Sequence, residues 1–126
     1  MKYLAVDFGL KKIGLAISDG IFSSPWKVVK VKNMDDCVRK INKILHEERF
    51  DKLIVGKPEG KLSKLIGRFV KNLKDKGAEV EIVDETLSSQ KALRLMIEMG
   101  FSKKKRRTED SFAAAEILQN FLDSNK

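Results

Sequence analysis

The 126-residue sequence is poor in the residue types that build several common kinds of site. Cys37 is the only cysteine and His46 the only histidine, which excludes an internal disulfide and a zinc cluster of cysteine and histidine ligands. A Ser-His-Asp triad would have to use His46, which the apolar spacing places on the exposed side of a helix. The composition therefore argues against disulfide, zinc-cluster and serine-hydrolase chemistry.

Long hydrophobic stretches are also missing. No run comes near the length of about 18 apolar residues that is needed to cross a bilayer. The first residues lack the apolar segment and the cleavage site of a signal peptide. We expect a cytoplasmic protein in a reducing compartment, without membrane association.

Positive charge is abundant. Lysine and arginine total 26 against 18 aspartates and glutamates, for a formal net charge of +8, and this excess favours a polyanion as partner, nucleic acid first. A generally charged, solvated surface is the alternative explanation. The length and the 42% of hydrophobic residues fit a single folded domain over residues 1–126.

Apolar periodicity predicts an α/β domain. An antiparallel meander of three strands opens the chain, and helices then alternate with strands, which implies right-handed crossovers and parallel pairing. The predicted strands are 4–6, 13–18, 26–31, 53–56 and 80–83, and the predicted helices are about 35–48, 62–73, 88–99 and 108–122.

Three acids occupy positions where chemistry is expected. Asp7 ends an apolar strand, Glu85 ends another predicted strand of the same direction, and Asp110 lies in the first turn of the last helix. Ligand sites in such sheets lie beyond the carboxyl ends of parallel strands. Converging carboxylates repel each other, and a hard divalent ion such as Mg²⁺ or Mn²⁺ relieves that repulsion. The alternatives are a strand-ending turn for Asp7, a helix-dipole contact for Asp110 and a solvated strand end for Glu85.

Basic residues near these acids are candidates for nucleic-acid contacts. Lys12 could reach a phosphate or could be a solvated hairpin lysine. The run of Lys103, Lys104, Lys105, Arg106 and Arg107 directly precedes the last helix and favours binding. The stripe of Lys61, Lys64, Arg68 and Lys71 fits an ordinary solvated helix face better. Gly9 and Gly14 could allow close approach of a ligand or serve as a turn glycine and a bulge.

Four segments together resemble the YqgF/RuvX family, in order and across nearly the whole chain. They are residues 7–19 (DFGLKKIGLAISD), 54–58 (IVGKP), 84–89 (DETLSS) and 110–119 (DSFAAAEILQ). The resemblance implies a ribonuclease H-like fold with a five-stranded mixed sheet flanked by helices. It also implies an acidic site at Asp7, Glu85 and Asp110.

Family members are described as nucleases that mature the precursor of 16S ribosomal RNA or as Holliday junction resolvases. The resemblance favours metal-dependent cleavage near the 5′ end of that RNA, with branched DNA as the alternative substrate. Asp7 would bridge two Mg²⁺ ions about 4 Å apart, each held also by Glu85 or Asp110. A resolvase should act as a symmetric dimer, and we expect a monomer or weak homodimer.

Two departures from the family pattern affect the substrate more than the metal. Thr86 stands where the family usually has arginine, and Glu59-Gly60-Lys61 shortens a loop that is usually longer. These departures leave open a non-catalytic nucleic-acid binder on the same fold. An actin-like phosphotransferase is a further alternative, since Asp7-Phe8-Gly9 before a hairpin resembles its phosphate loop. Such enzymes need two domains of this type, and the chain is long enough for one.

Overall fold

A five-stranded mixed sheet forms the centre of the computed structural model, which describes residues 1–57, 62–84 and 109–124. The strands are β1 (Tyr3–Asp7), β2 (Lys12–Ser18), β3 (Ser23–Lys30), β4 (Lys52–Lys57) and β5 (Val80–Asp84). The helices are α1 (Met34–Glu47), α2 (Leu62–Asp75) and α3 (Glu109–Ser124). The predicted helix 88–99, the basic run 103–107, the loop 59–61, and the positions Glu85, Thr86 and Thr108 lie outside the described residues.

The strand order β3-β2-β1-β4-β5 confirms the predicted meander followed by parallel strands. Adjacent strands among β1, β2 and β3 are antiparallel, whereas β4 is parallel to both β1 and β5. Within the described residues, no helix is long and apolar enough to cross a membrane.

The third strand differs from its prediction at its start. It begins at Ser23 rather than at residue 26, and it includes Pro25 and a register shift opposite Leu15 and Ala16. Proline has no N–H for a sheet ladder, but an edge strand leaves half of its backbone groups unpaired in any case. The edge position of β3 therefore explains why a segment with little strand character still pairs.

The two faces of the sheet are covered by different layers. The face covered by α1 and α2, here the α1/α2 face, buries large side chains such as Leu4, Val6 and Phe69. The opposite face, here the α3 face, buries small residues including Ala5 against α3. Because side chains alternate along a strand, the odd-numbered residues of β1 belong to the α3 face. Asp7 therefore belongs to that face.

The α1/α2 face also holds the single cysteine. Cys37 is 1% exposed. Burial, and next the charge of Asp36, raise the pKa of its thiol to about 12, so the thiol stays protonated in water near neutral pH. Cys37 accordingly serves as a small apolar core residue.

Candidate metal centre

The carboxyl ends of β1, β4 and β5 lie at one edge of the sheet, here the site edge. Val6 pairs with Val55, and Lys57 pairs with Asp84, so the three parallel strands end at nearly the same level. The turns that follow strands at such an edge are where α/β sheets place their ligand sites. The predicted acidic site belongs to this edge.

Asp7 is the last residue of β1, the central strand, and is 8% exposed. It pairs with Gly14 on β2, and the residue before it, Val6, belongs to the core of the α1/α2 face. A carboxylate in so closed a position is stable as a charged group only when hydrogen bonds or cations compensate it. Asp7 takes part in an interaction of this general kind within the protein. The position is consistent with a metal ligand.

The direction of α3 determines which of its ends approaches Asp7. The ring of Phe121, near the end of α3, lies 5.6 Å from the ring of Tyr3 at the start of β1. The Nζ atom of Lys52, at the start of β4, lies 5.8 Å from the centroid of the same Phe121 ring. The end of α3 is therefore at the edge where β1 and β4 begin. Its first turn points toward the site edge.

Helix and strand lengths agree with this placement. From Phe121 back to Asp110 the helix spans about 16 Å at 1.5 Å per residue. From Tyr3 to Asp7 the strand spans about 13 Å at 3.3 Å per residue. The backbone of Asp110 thus lies in the turn of α3 that reaches the carboxyl end of β1.

The middle of α3 is attached to the meander by hydrogen bonds. The hydroxyl of Ser23 donates to the carbonyl of Ala115 (2.6 Å), and the backbone N–H of Ser23 donates to Oε1 of Gln119 (2.9 Å). Ala114 and Ile117 are fully buried against the sheet. The helix is thereby held in one position along β1.

The other two predicted acids are described less completely than Asp7. The side chain of Asp110 and all of Glu85 lie outside the described residues, and Glu85 follows Asp84, the last residue of β5. Among the side chains that the structure describes, no group of three His, Cys, Asp or Glu residues could hold a metal ion. Of the three predicted acids, that group could have included only Asp7, so the metal site stays a prediction.

Lys12 begins β2 and is exposed. It lies two residues from Gly14, the partner of Asp7, and therefore on the α3 face. Lys12 takes part in an interaction within the protein. Its side chain is on the same face of the sheet as Asp7, as a phosphate-positioning lysine should be.

Gly9 resolves one of the alternatives left by the sequence. A Cβ atom at Gly9 would lie 2.5 Å from the carbonyl oxygen of Lys12, so only glycine fits this turn without a shift. The register shift of β2 lies at Leu15 and Ala16, and Gly14 itself pairs regularly with Asp7 and Val28. Gly9 is therefore a turn glycine, and Gly14 is not the bulge.

Sequence reasoning missed two features of this edge. Asp36 was assigned only a helix-dipole role, but it is 5% exposed and accepts the backbone N–H of Lys32 at 2.9 Å. Lys30 was not singled out, although it pairs directly with Lys12. Lysines alternating with Val29 in a strand were the available signal for Lys30. Only the fold reveals the partner of Asp36 at Lys32.

Comparison with known proteins identifies relatives of the whole chain. The family model described as "RuvX: Holliday junction resolvase" matches residues 1–124. A protein of Chlorobaculum tepidum named "Putative pre-16S rRNA nuclease" is 33% identical, over 98% of this chain and 94% of that protein. A protein of the same name from Clostridium tetani is 36% identical, over 98% and 97% of the two chains.

Solved structures agree on the fold. The fowlpox virus Holliday junction resolvase superimposes with a TM-score of 0.64 at 17% identity, over all of both chains. Thermus thermophilus RuvC, solved in complex with a Holliday junction substrate, gives a TM-score of 0.58 at 18% identity over 99% and 95% of the two chains. These similarities confirm the ribonuclease H-like architecture expected from the sequence.

Proposed function

Because this chain belongs to the RuvX family, we propose that it is a divalent-metal-dependent nuclease that cleaves structured nucleic acid. The position of Asp7 carries the proposal, since it is a nearly buried carboxylate at the end of the central strand. The proposed substrate is the precursor of 16S ribosomal RNA, cleaved near its 5′ end, as the names of the curated relatives suggest.

The donor set fits a hard cation. We propose that Asp7, Glu85 and Asp110 hold Mg²⁺ or Mn²⁺, because carboxylate oxygens are the ligands these ions prefer. Helical spacing assigns position 110 to the same stripe as Ala114 and Ile117, which face the sheet. Position 85 has the same parity as Val83, which packs on the α3 face. Both assignments direct the two acids toward Asp7.

The residues of the chain then have separate tasks. When bound, such ions supply an activated water and stabilise the charge on the leaving oxygen. Asp7, fixed by pairing of β1 with β2 and β4, holds its carboxylate in place before substrate arrives. Lys12 is proposed to hold a phosphate beside the site. The run 103–107, directly before α3, is proposed to bind the backbone further along the substrate.

The central experiment compares substrates and metals in one assay. The protein is incubated with labelled precursor 16S RNA or a labelled four-way DNA junction, each with Mg²⁺, Mn²⁺ or chelator. We expect cleavage of the RNA with either metal and none with chelator. Cleavage of the junction alone would instead establish the resolvase alternative, for which the family description and the solved neighbours provide support. Binding without cleavage of either substrate would show a non-catalytic binder.

A matched pair of variants assigns the activity to the site. Asp7→Asn should lower cleavage about a thousandfold or more, since charge stabilisation by bound metal is worth several kcal/mol. Asp75→Asn makes the same chemical change at an exposed residue that ends α2, at the opposite edge of the sheet, and should cleave normally. Full activity of Asp7→Asn would rule out the proposed centre. Gel filtration with light scattering tests the expected monomer or weak homodimer.

A further inference from the structure

Two lysines face each other across the strands next to Asp7. Lys12 on β2 pairs with Lys30 on β3, and both are exposed. Their sequence neighbours Ile13 and Val29 pack in the core of the α1/α2 face, so both lysines lie on the α3 face with Asp7. Like charges directly opposite each other destabilise an antiparallel pair. An anion bound over this pair would remove the penalty.

The positive charge extends to both neighbouring turns. Lys11 precedes β2, and Lys32 follows β3, and the backbone N–H of Val31 donates to the carbonyl of Lys11 (2.9 Å), which ties the two turns together. From residue 8 to residue 34 the chain has five lysines and one acid, Asp19. Asp19 follows the last residue of β2 and thus lies at the edge away from Asp7. We call Lys11, Lys12, Lys30 and Lys32 the hairpin lysines.

The nearest acid is directed to other partners. Asp36 accepts from the backbone N–H of Lys32 (2.9 Å), and its carboxylate also binds Nζ of Lys40 (3.1 Å) and the guanidinium of Arg39. Nζ of Lys40 further donates to the carbonyl of Lys30 (2.8 Å). Within the described parts of the chain, no carboxylate makes an ion pair with the side chain of Lys11, Lys30 or Lys32. Asp36 therefore fixes the backbone that carries these lysines without neutralising their ammonium groups.

We infer that the hairpin lysines bind backbone phosphates of one arm of the nucleic acid whose scissile phosphate lies at Asp7. This inference rests on the proposed function. Lys30 is two strands from β1 and two residues beyond the level of Asp7, which puts their Cα atoms about 12 Å apart, from a strand spacing of about 4.8 Å and a rise of about 3.4 Å. One strand of a duplex carries a phosphate every 3.4 Å or so, and 12 Å therefore covers about three to four base pairs. A single arm can contact Asp7 and the hairpin lysines together.

The test measures binding separately from cleavage. The full chain is mixed with a fluorescent RNA duplex in chelator, and the dissociation constant is measured from 50 to 200 mM KCl. Each lost phosphate contact should reduce the slope of log K against log[KCl] by about 0.9. Lys30→Gln/Lys32→Gln should therefore lower the slope by nearly 2 and, at 0.1 M salt, weaken binding about sixtyfold if both contacts are lost.

Two further variants make the result specific. Lys71→Gln/Lys74→Gln removes the same charge from exposed positions on α2, on the other side of the sheet, and should leave the slope unchanged. Lys30→Arg/Lys32→Arg keeps the charge and should restore binding. Equal slopes for the two glutamine variants would overturn the inference, as would a lost slope that arginine does not restore.

The inference and the proposed function can fail independently. A normal slope for Lys30→Gln/Lys32→Gln beside metal-dependent cleavage by the unaltered protein would reject only the hairpin surface. A reduced slope beside absent cleavage would keep the surface and reject the nuclease. A change in oligomeric state with no change in RNA binding would show that the lysines contact a second protein copy, and this too would reject the inference.

Discussion

The two faces of the sheet differ in the size of the side chains that they bury. The α1/α2 face packs large residues, among them Phe8 and Phe69, whose ring centroids lie 5.3 Å apart. The α3 face meets its helix through Ala5, Ala16 and Ala114, each fully buried. Large side chains bury more apolar area, whereas small ones let a helix backbone come closer to the sheet. The first face is therefore suited to stability, and the second to holding the first turn of α3 beside Asp7.

The largest effect expected from this comparison concerns the stability face. Leu73 is fully buried on the α1/α2 face near the end of α2, away from the site edge. Leu73→Ala should lower the free energy of unfolding by about 2–5 kcal/mol, because the lost side chain leaves a cavity. Urea denaturation measures this loss. Cleavage per folded molecule should stay normal, and a parallel fall in activity at full folding would break the division between the faces.

A smaller loss of stability with a larger loss of activity is expected on the other face. Ala114→Leu adds bulk where α3 meets Ala5 and Ala16, and overpacking of this kind costs about 1–3 kcal/mol. The helix must shift outward, and a displacement of about 1 Å at a reacting centre can lower a rate about a hundredfold. Cleavage kinetics under conditions of full folding measure that loss.

The matched control makes the same substitution on the stability face. Ala78 packs against the α1/α2 core just before β5 begins, at the edge away from Asp7. Ala78→Leu should change stability without changing cleavage by the folded protein. Equal activity losses in Ala78→Leu and Ala114→Leu would show that packing strain in general, and not the approach of α3, limits the reaction.

Much of this arrangement was predictable from local patterns. Short apolar runs identified β1, β4 and β5, and the spacing of Ile66, Phe69 and Leu73 identified α2, because burial on one face produces these periods. Asp7 was identified as a candidate by its place at the end of an apolar strand. Such signals are strong where one element buries a regular stripe of its own residues.

The remaining features depend on contacts between distant segments. β3 begins at Ser23, and its polar start is stabilised by the carbonyl of Ala115 and the side chain of Gln119, 92 and 96 residues away. The Lys12–Lys30 pair depends on a register shift at Leu15 and Ala16 that no local pattern indicates. The convergence of Glu85 and Asp110 with Asp7 depends on tertiary packing in the same way and stays a prediction.

The smallest expected effect concerns the one polar group buried on the α1/α2 side of the site edge. The backbone N–H of Lys32, then the side chain of Lys40, hold the pKa of Asp36 at about 2, below the ordinary value of 3.8. A carboxyl whose pKa falls on folding stabilises the protein above its unfolded value, and that contribution is lost as pH falls from about 4 to about 2. Lys40 and Arg39 reach the carboxylate from the surface, where water weakens ion pairs, so the contribution should be modest.

Asp36→Asn isolates that charge, because an asparagine oxygen can still accept the N–H of Lys32. Unfolding by urea, measured from pH 7 to pH 2, should show the variant less stable than the unaltered protein by a constant amount above about pH 5. The difference should shrink through the window from 4 to 2, where the protonated carboxyl resembles the amide. Asp35→Asn, in the same helical turn, reports what the helix dipole alone contributes. A difference that persists undiminished at pH 2 would mean that Asp36 acts through packing and hydrogen bonding, and that its charge does not hold the segment carrying Lys30 and Lys32.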